Sequence, residues 1–568
     1  MKNRQVAQIL YEIAEFLDLE GVQFKPRAYR RAAQAVESCA TPIEDLAAAD
    51  RLNELSGVGK AIAEKIKEIV ATGKLKYHAE LKARLPVDLL ALTGVEGVGP
   101  RTVKLLYDKL AVRTLDDLEE AARAGRIHGI KGLGEKTEER ILHGLAEARR
   151  VEERMLLGQA FSLARDLISR LEAADKFKRL AYAGSLRRGR ETVGDLDILA
   201  VSDHPEGASM AFVGLSDVED VLAQGPKKSS VLLAGGSQVD LRIVPADSFG
   251  AAMQYFTGSK AHNVALRKRA VARGWKLNEY GLFDAEGDLL AGVTEDEIYT
   301  VLGLAPISPE LREDQGEIRA AETGSLPKLV TPAEIRGDLH VHTDWSDGKA
   351  SLEEMVKAAQ GRGLSYIAIT DHSRFSKVIG GLSPDGLRQQ IEEIRELNEG
   401  LSDFTILAGV EANMRRDGSL DVPKKLLRQL DVVIAAVHSQ FRLGKREMTD
   451  RLIRAVEDEH VSILAHPTGR KIGERPPYEV DWAEVFRRAA DSGTALEINA
   501  NPIRLDLNAA LVRQAVDAGV RLTIDTDAHA PEHLDFMEFG VLTARRGWAE
   551  SKNVLNTLTP DGFLKALG

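Results

Sequence analysis

The sequence has 568 residues, 44% hydrophobic and 29% charged, with 49 glycines and 19 prolines. At about 150 residues per domain that length suits three or four folded domains, and the composition excludes a disordered, collagenous or membrane-spanning chain. A formal net charge of −11, from 76 Lys and Arg against 87 Asp and Glu, excludes a protein whose whole surface binds nucleic acid by charge alone, while leaving local basic patches open. The single cysteine, Cys39, excludes a disulfide framework and a cysteine-based zinc site, so any metal must be held by His and carboxylate. The N-terminal stretch MKNRQVAQILYEIAEFLDLEG is amphipathic, with acids inside its apolar pattern, unlike a signal peptide or membrane helix; a soluble cytoplasmic protein with no membrane partner is expected.

From the N-terminus, residues 1–150 carry apolar residues at helical spacing and read as helical. Three turns repeat a pattern: LSGVGKAIAEKI (55–66), VEGVGPRTVKLL (95–106) and IKGLGEKTEERI (130–141) each run from an apolar residue through Gly-x-Gly into a helix. The glycines Gly57, Gly59, Gly97, Gly99, Gly132 and Gly134 leave bare amides at helix N-termini, where phosphate oxygens bind. The pattern resembles the helix-hairpin-helix module, which grips the DNA backbone without reading sequence. One such turn would be an ordinary helix connection; three within residues 55–141 favour DNA binding.

From about residue 155 the pattern turns to mixed helix and strand. Residues 179–183, 195–202, 230–233 and 239–244 are predicted strands, the last two joined by an Ala-Gly-Gly hairpin turn. GSLRRGRETVGDLDILAV (184–201) sets Asp195 and Asp197 two apart on one strand face. Asp240, in QVDLRIV, can join them, giving three carboxylates able to hold two Mg²⁺ or Mn²⁺ ions about 3.5 to 4 Å apart, as phosphoryl transfer requires. Gly184, Ser185 and Arg188 supply donors for a triphosphate.

These motifs resemble the family X DNA polymerases over residues 1–315. The resemblance implies that Tyr255, Phe256 and Gly258, in YFTGSKAHNVALRKRA (255–270), form the nucleotide pocket. Tyr255 and Phe256 would lie against the deoxyribose, Asn263 against the incoming base and Arg267 against the template strand. Glu279 matches the acid that organises thumb closure. Gln238 replaces an arginine that animal members use to orient the third acid; catalysis is expected to survive, and the resemblance does not carry over rate or metal preference. Lys65 aligns with the lysine that forms a Schiff base with 5′-deoxyribose phosphate in animal relatives, and Lys25 and Tyr29 match neighbouring positions. Because Tyr77 stands where those relatives carry a further lysine, Lys65 is read first as a DNA-backbone contact.

Residues 311–335 are polar, with Gly and two prolines, and read as a linker. Beyond them, seven short apolar runs (GDLHVH, SYIAITDH, TILAGVE, DVVIAAVH, VSILAH, TALEIN, RLTIDTDAH) alternate with helix-length segments, the signature of a parallel barrel. Eight of the 13 histidines lie here, and His340, His342, Asp347, His372, Glu411, His438, His466, Asp527 and His529 fall at or just past strand ends, where such a barrel gathers its active site. They are enough for two or three Mn²⁺, Zn²⁺ or Fe ions. The pattern resembles the PHP family of metal-dependent phosphoesterases with a (βα)₇ barrel, and the resemblance implies that these nine are the metal ligands. His460 and His533 fall outside the pattern and are expected at the surface. Arg374, Lys377 and Arg470 could hold substrate phosphates, though solvated loop cations are the plainer reading.

The chain is thus identified as a member of the bacterial family X polymerases that carry a C-terminal PHP domain. The expected domains are a DNA-binding helical domain at 1–85, a second helical domain with two further hairpins at 86–150, a nucleotidyltransferase palm at 151–250, a thumb at 251–315, a linker at 316–335 and the PHP domain at 336–568. The resemblance implies a gap-filling polymerase for base excision repair, using gapped or nicked DNA and dNTPs, with a 3′-5′ exonuclease that extends to abasic-site cleavage or removal of 3′-phosphates. A nucleoid-associated monomer is expected. Two alternatives are a polymerase tethered to a small-metabolite phosphatase and a DNA-binding scaffold with an inactive transferase.

Overall fold

The computed structural model describes residues 3–19, 22, 25–37, 43–55, 58–89, 92, 95, 98–130, 133–150, 154–373, 381–441 and 443–567. Gly57, Gly97, Gly132, Cys39, Arg374 and Lys377 lie outside them. The chain forms two compact units, Met1–Arg154 and Met155–Gly568.

The described part of the first unit is helical, as its apolar spacing predicts. Helices Asn3–Leu19 and Lys25–Glu37 pack on one another, followed by Lys60–Thr72, Lys76–Arg84, Pro100–Leu110, Leu115–Arg123 and Glu135–Arg150. A core running from Val6 to Leu145 joins them.

The second unit opens with a five-stranded sheet. Strand Asp195–Val201 lies between the antiparallel Arg179–Tyr182 and the parallel Gln238–Ile243, which continues antiparallel into Lys228–Leu233 and the edge strand Val218–Ala223. Sequence reading missed the edge strand because most of its side chains are exposed and leave no alternating apolar signal. Helices Phe249–Thr257 and Lys260–Val271, a small sheet of Lys276–Asn278, Gly281–Phe283 and Leu289–Ala291, and helix Glu295–Val301 follow.

Residues 316–335, expected as a linker that could be fixed or mobile, pack against the fold. They contain helix Glu317–Thr323, with Glu317, Ala320 and Ala321 buried, and then Leu329 and Val330, also buried. The polar composition misleads because these groups are paired inside the fold. Glu317 accepts from the Asp314 and Gln315 amides at 2.9 and 2.7 Å and meets His262 Nδ1 at 2.7 Å, while the His262 Nε2 lies 2.9 Å from the Tyr299 hydroxyl.

Seven parallel strands then form the expected barrel: Gly337–Val341, Tyr366–Ile369, Thr405–Asn413, Val432–Ala436, Ile463–Leu464, Ala495–Asn499 and Leu522–Asp525, in sequence order. A bridge between Val341 and Ala528 nearly closes the ring. The palm core includes Leu505 and Phe539 from the barrel side, so palm and barrel are packed as one body.

Candidate active sites

In the palm, strand register assembles the acids. Asp195 and Asp197 share a face of their strand, and the parallel pairing sets Asp195 beside Gln238 and Asp197 beside Asp240. Helix Gly184–Arg187 starts against them: Gly184 has φ +64, and a Cβ there would collide with the Asp197 carboxylate, so only glycine lets the turn come this close. Burial, then the charges of Asp195 and Asp240, push Asp197 up to about 7.

Asp240 moves the other way. Burial alone would raise it, but hydrogen bonds from Ser230 and Gln238 and the Lys228 ammonium, 3.0 Å from Oδ2, hold it below the ordinary carboxylate range. Gln238 Nε2 donates to Asp240 Oδ1 at 3.1 Å, so the residue that departs from the animal pattern still orients this acid. The positive charge comes from Lys228 on the neighbouring strand, which sequence reading missed because the pairing of the two strands is what brings it there.

Around the acids, Arg188 Nη1 donates to the Thr257 carbonyl and Nε to Glu313 at 3.1 Å. Ser185 is half-buried, and Gly258 caps helix Phe249–Thr257. The half-buried rings of Tyr255 and Phe256 meet edge to face at 5.1 Å, with the Arg242 guanidinium 4.9 Å over Phe256. Asn263 is buried; its amide donates to the Tyr255 carbonyl at 2.6 Å and accepts from Gln254 at 2.7 Å. Arg267 Nε donates to the Asn263 carbonyl at 3.3 Å, and Glu279 sits half-exposed in the turn between two thumb strands.

In the first unit, Gly59 and Gly99 are the N-caps of helices Lys60–Thr72 and Pro100–Leu110, and Gly134 directly precedes Glu135–Arg150. A Cβ at any of the three would meet nothing within 4 Å. The Lys65 ammonium stands 5.3 Å over the Tyr77 ring, Lys25 is exposed, and burial followed by the Tyr77 charge pushes the Tyr29 hydroxyl up to about 12.

At the barrel's C-terminal end, three groups of side chains have ligand atoms within 4.8 Å of one another: His342, Asp347, His372 and His529; His340, His342 and Asp527; and His372, Glu411 and His438. Among the described residues the palm acids form no group that tight. His466 joins through Glu411, its Nε2 lying 2.9 Å from Oε1, so all nine predicted ligands meet at one place. His466 and Asp527 take left-handed backbone, φ +27 and +54, a cost of about 1 to 3 kcal/mol each that fits strain held at a functional site.

The donor set fits bound cations. Buried His340 Nε2, both nitrogens of His342, His466 Nδ1 and Glu411 Oε2 have no hydrogen-bond partner, which a buried polar atom rarely tolerates. The surrounding charges sort the histidines. Burial, with His529 beside it, lowers His342 to about 3, whereas the Glu411 and Asp347 charges overcome burial and lift His372 to about 10. Burial would raise Glu411 and Asp527, but neighbouring imidazoles hold both well below the carboxylate range.

A supporting layer, missed at the sequence level, aims the ligands. Glu497 meets His340 Nδ1 at 2.6 Å, Asn413 meets His438 Nδ1 at 2.6 Å, and Asn499 donates to Asp527 at 3.2 Å. Glu497 did leave a signal, an acid within the apolar run TALEIN. Arg504 Nε lies 3.5 Å from Asp527 Oδ2. Arg470 is no solvated cation: it is buried in a two-pronged ion pair with palm Glu191, at 3.0 and 2.8 Å. His460 and His533 are half-buried, His533 accepting from the His529 amide at 3.3 Å.

Four family models match in chain order: a helix-hairpin-helix domain (1–75), a SAM-like helix-hairpin-helix tandem (89–147), the DNA polymerase beta thumb (252–313) and the PHP domain (338–500). A DNA polymerase/3′-5′ exonuclease PolX of Bacillus subtilis (strain 168) is 39% identical over 572 residues, covering 100% of both chains. The chain belongs to the PolX family. Other similarities cover part of the chain. DNA polymerase lambda of Rattus norvegicus is 25% identical over 342 residues, 55% of this chain and 56% of its own. A probable phosphatase of Caldanaerobacter subterraneus is 30% identical over 204 residues, 34% of this chain and 75% of its own. No described helix of the PolX chain is long and apolar enough to cross a membrane.

Proposed function

We infer that the chain is a DNA polymerase and 3′-5′ exonuclease that fills short gaps during base excision repair. The observation that carries this is the full-length PolX similarity combined with a complete set of acids on paired palm strands. Asp195, Asp197 and Asp240 would hold the polymerase cations. All-oxygen donors suit Mg²⁺ or Mn²⁺ there, and the histidine-rich barrel suits Mn²⁺, Zn²⁺ or Fe. Bound cations supply charge neutralisation on the phosphates and activation of the attacking hydroxyl or water.

The chain's own groups do the rest. Ser185 and Arg188 grip the triphosphate, and Tyr255 and Phe256 present an edge that leaves no room for a 2′-hydroxyl. Asp240 is the group that would accept the primer hydroxyl proton. Gly59, Gly99 and Gly134 offer helix starts to the DNA backbone, with Lys65 as a further backbone contact. In the barrel, Arg504 is the cation beside the ligand set, 3.5 Å from Asp527, and the candidate for a substrate-phosphate contact. The protein acts as a monomer in the cytoplasm, at the nucleoid, on gapped or nicked DNA. Asp240→Ala is expected to lower single-nucleotide insertion by ~10³-fold or more, read on a primer gel; normal insertion would overturn the assignment.

The similarity to a probable phosphatase favours a second reading of the barrel alone, a phosphatase for small phosphorylated metabolites. Comparable turnover of histidinol phosphate and DNA 3′ ends would support it. Turnover confined to DNA would exclude it.

A further inference from the structure

The segment 184–191 joins the Gly-Ser turn of the nucleotide site to the strand that carries Asp195 and Asp197, and the barrel grips it from outside. Arg546, the last residue of barrel helix Met537–Arg546, donates from Nη1 to the Arg188 carbonyl at 2.6 Å and to Glu313 at 3.1 Å. Glu313 in turn accepts from Arg188 Nε at 3.1 Å, and its other neighbour is Arg190 at 3.8 Å. The next residue, Gly189 at φ +64, lies so close to the same helix that a Cβ would stand 3.3 Å from the Leu542 side chain. Two residues on, Glu191 is held by Arg470, which follows the barrel ligand His466 by four positions.

These side chains are well shielded: Arg188, Glu313 and Arg546 expose 13%, 16% and 9%. Burial would raise the Glu313 carboxyl, but Arg546, then Arg188 and Arg190, hold it down, so it stays ionised between them. With Nε on Glu313 and Nη1 on the Thr257 carbonyl, the Arg188 guanidinium is fixed in one orientation, and its remaining N–H groups are free to meet a phosphate. Fixing a long side chain before its ligand arrives removes an entropic cost of binding.

We propose that Arg546 of the barrel, acting through Glu313 and the Arg188 carbonyl, is a positioning residue of the polymerase nucleotide site. The barrel therefore tunes dNTP affinity without touching the nucleotide. The proposal rests on the polymerase reading and on Arg188 as a triphosphate contact.

The test measures single-turnover insertion of one matched dNTP into gapped DNA, against dNTP concentration, for the full chain. Arg546→Met is expected to raise the apparent dNTP Kd about tenfold while the maximal insertion rate stays within about twofold, and Arg546→Lys is expected to fall between it and the wild type. In an Arg188→Ala background Arg546→Met should change nothing further. An unchanged Kd, or an equal rise in the Arg188→Ala background, would overturn the proposal, as would a fall in rate alone. Should Arg546→Met fail to fold, Glu313→Gln, nearly equal in shape, must raise Kd in the same way, and an unaltered Kd there counts against the idea. No insertion by the wild type would instead overturn the polymerase reading itself.

Discussion

At the scale of single residues, the two buried palm carboxylates Asp197 and Asp240 are driven in opposite directions by their neighbours, and this has a measurable consequence. Asp197 ordinarily titrates near 3.8 and in the metal-free fold near 7. The folded chain therefore binds the extra proton between those values, and its stability falls as pH rises from about 4 through about 7. Chelated wild type should lose more stability across that window than Asp197→Asn does, and Mg²⁺ should shrink the difference, because a bound cation replaces the proton. Equal slopes for wild type and Asp197→Asn in thermal unfolding would refute this. In the barrel, Glu497 touches no cluster of ligand atoms itself but fixes His340 through Nδ1. Glu497→Gln is expected to weaken metal affinity in the barrel by about 10- to 100-fold, measured by competition with a chelator, and to leave dNTP insertion intact.

At the scale of elements, the sites were legible where chemistry follows the strand period. Asp195 and Asp197 are two apart on a strand, and barrel ligands sit at strand ends, so residue type and spacing were sufficient. What was not legible depends on which strands are neighbours. Lys228 reaches Asp240 only through the pairing of Lys228–Leu233 with Gln238–Ile243, and Asn413 reaches His438 across adjacent barrel strands. The segment 316–335 shows another limit: polarity there reports internal pairing, not solvent. Glu317→Ala, which strands His262 and two backbone amides inside the fold, is expected to cost about 2 to 5 kcal/mol in denaturant unfolding. A change below about 0.5 kcal/mol would contradict this account of the Glu317 pairing.

At the scale of the whole second unit, palm and barrel share one core, the thumb core includes Trp548 from beyond the barrel strands, and ion pairs, two of them two-pronged, join the polymerase part to the barrel. Arg165 meets Glu538 at 2.9 and 2.6 Å, Arg470 meets Glu191, and Arg545 meets Glu310 at 2.7 Å, each pair joining a barrel side chain to the polymerase part. The direct measurement is one gel: a labelled primer on a gapped duplex with a 5′-phosphate, in Mn²⁺, with and without one matching dNTP, for wild type, Asp197→Asn and Glu411→Gln. The account predicts that wild type extends the primer with dNTP and shortens it without, that Asp197→Asn only shortens it, and that Glu411→Gln only extends it. Shortening that survives Glu411→Gln, or that disappears with Asp197→Asn, would contradict the assignment of polymerase to palm and exonuclease to barrel.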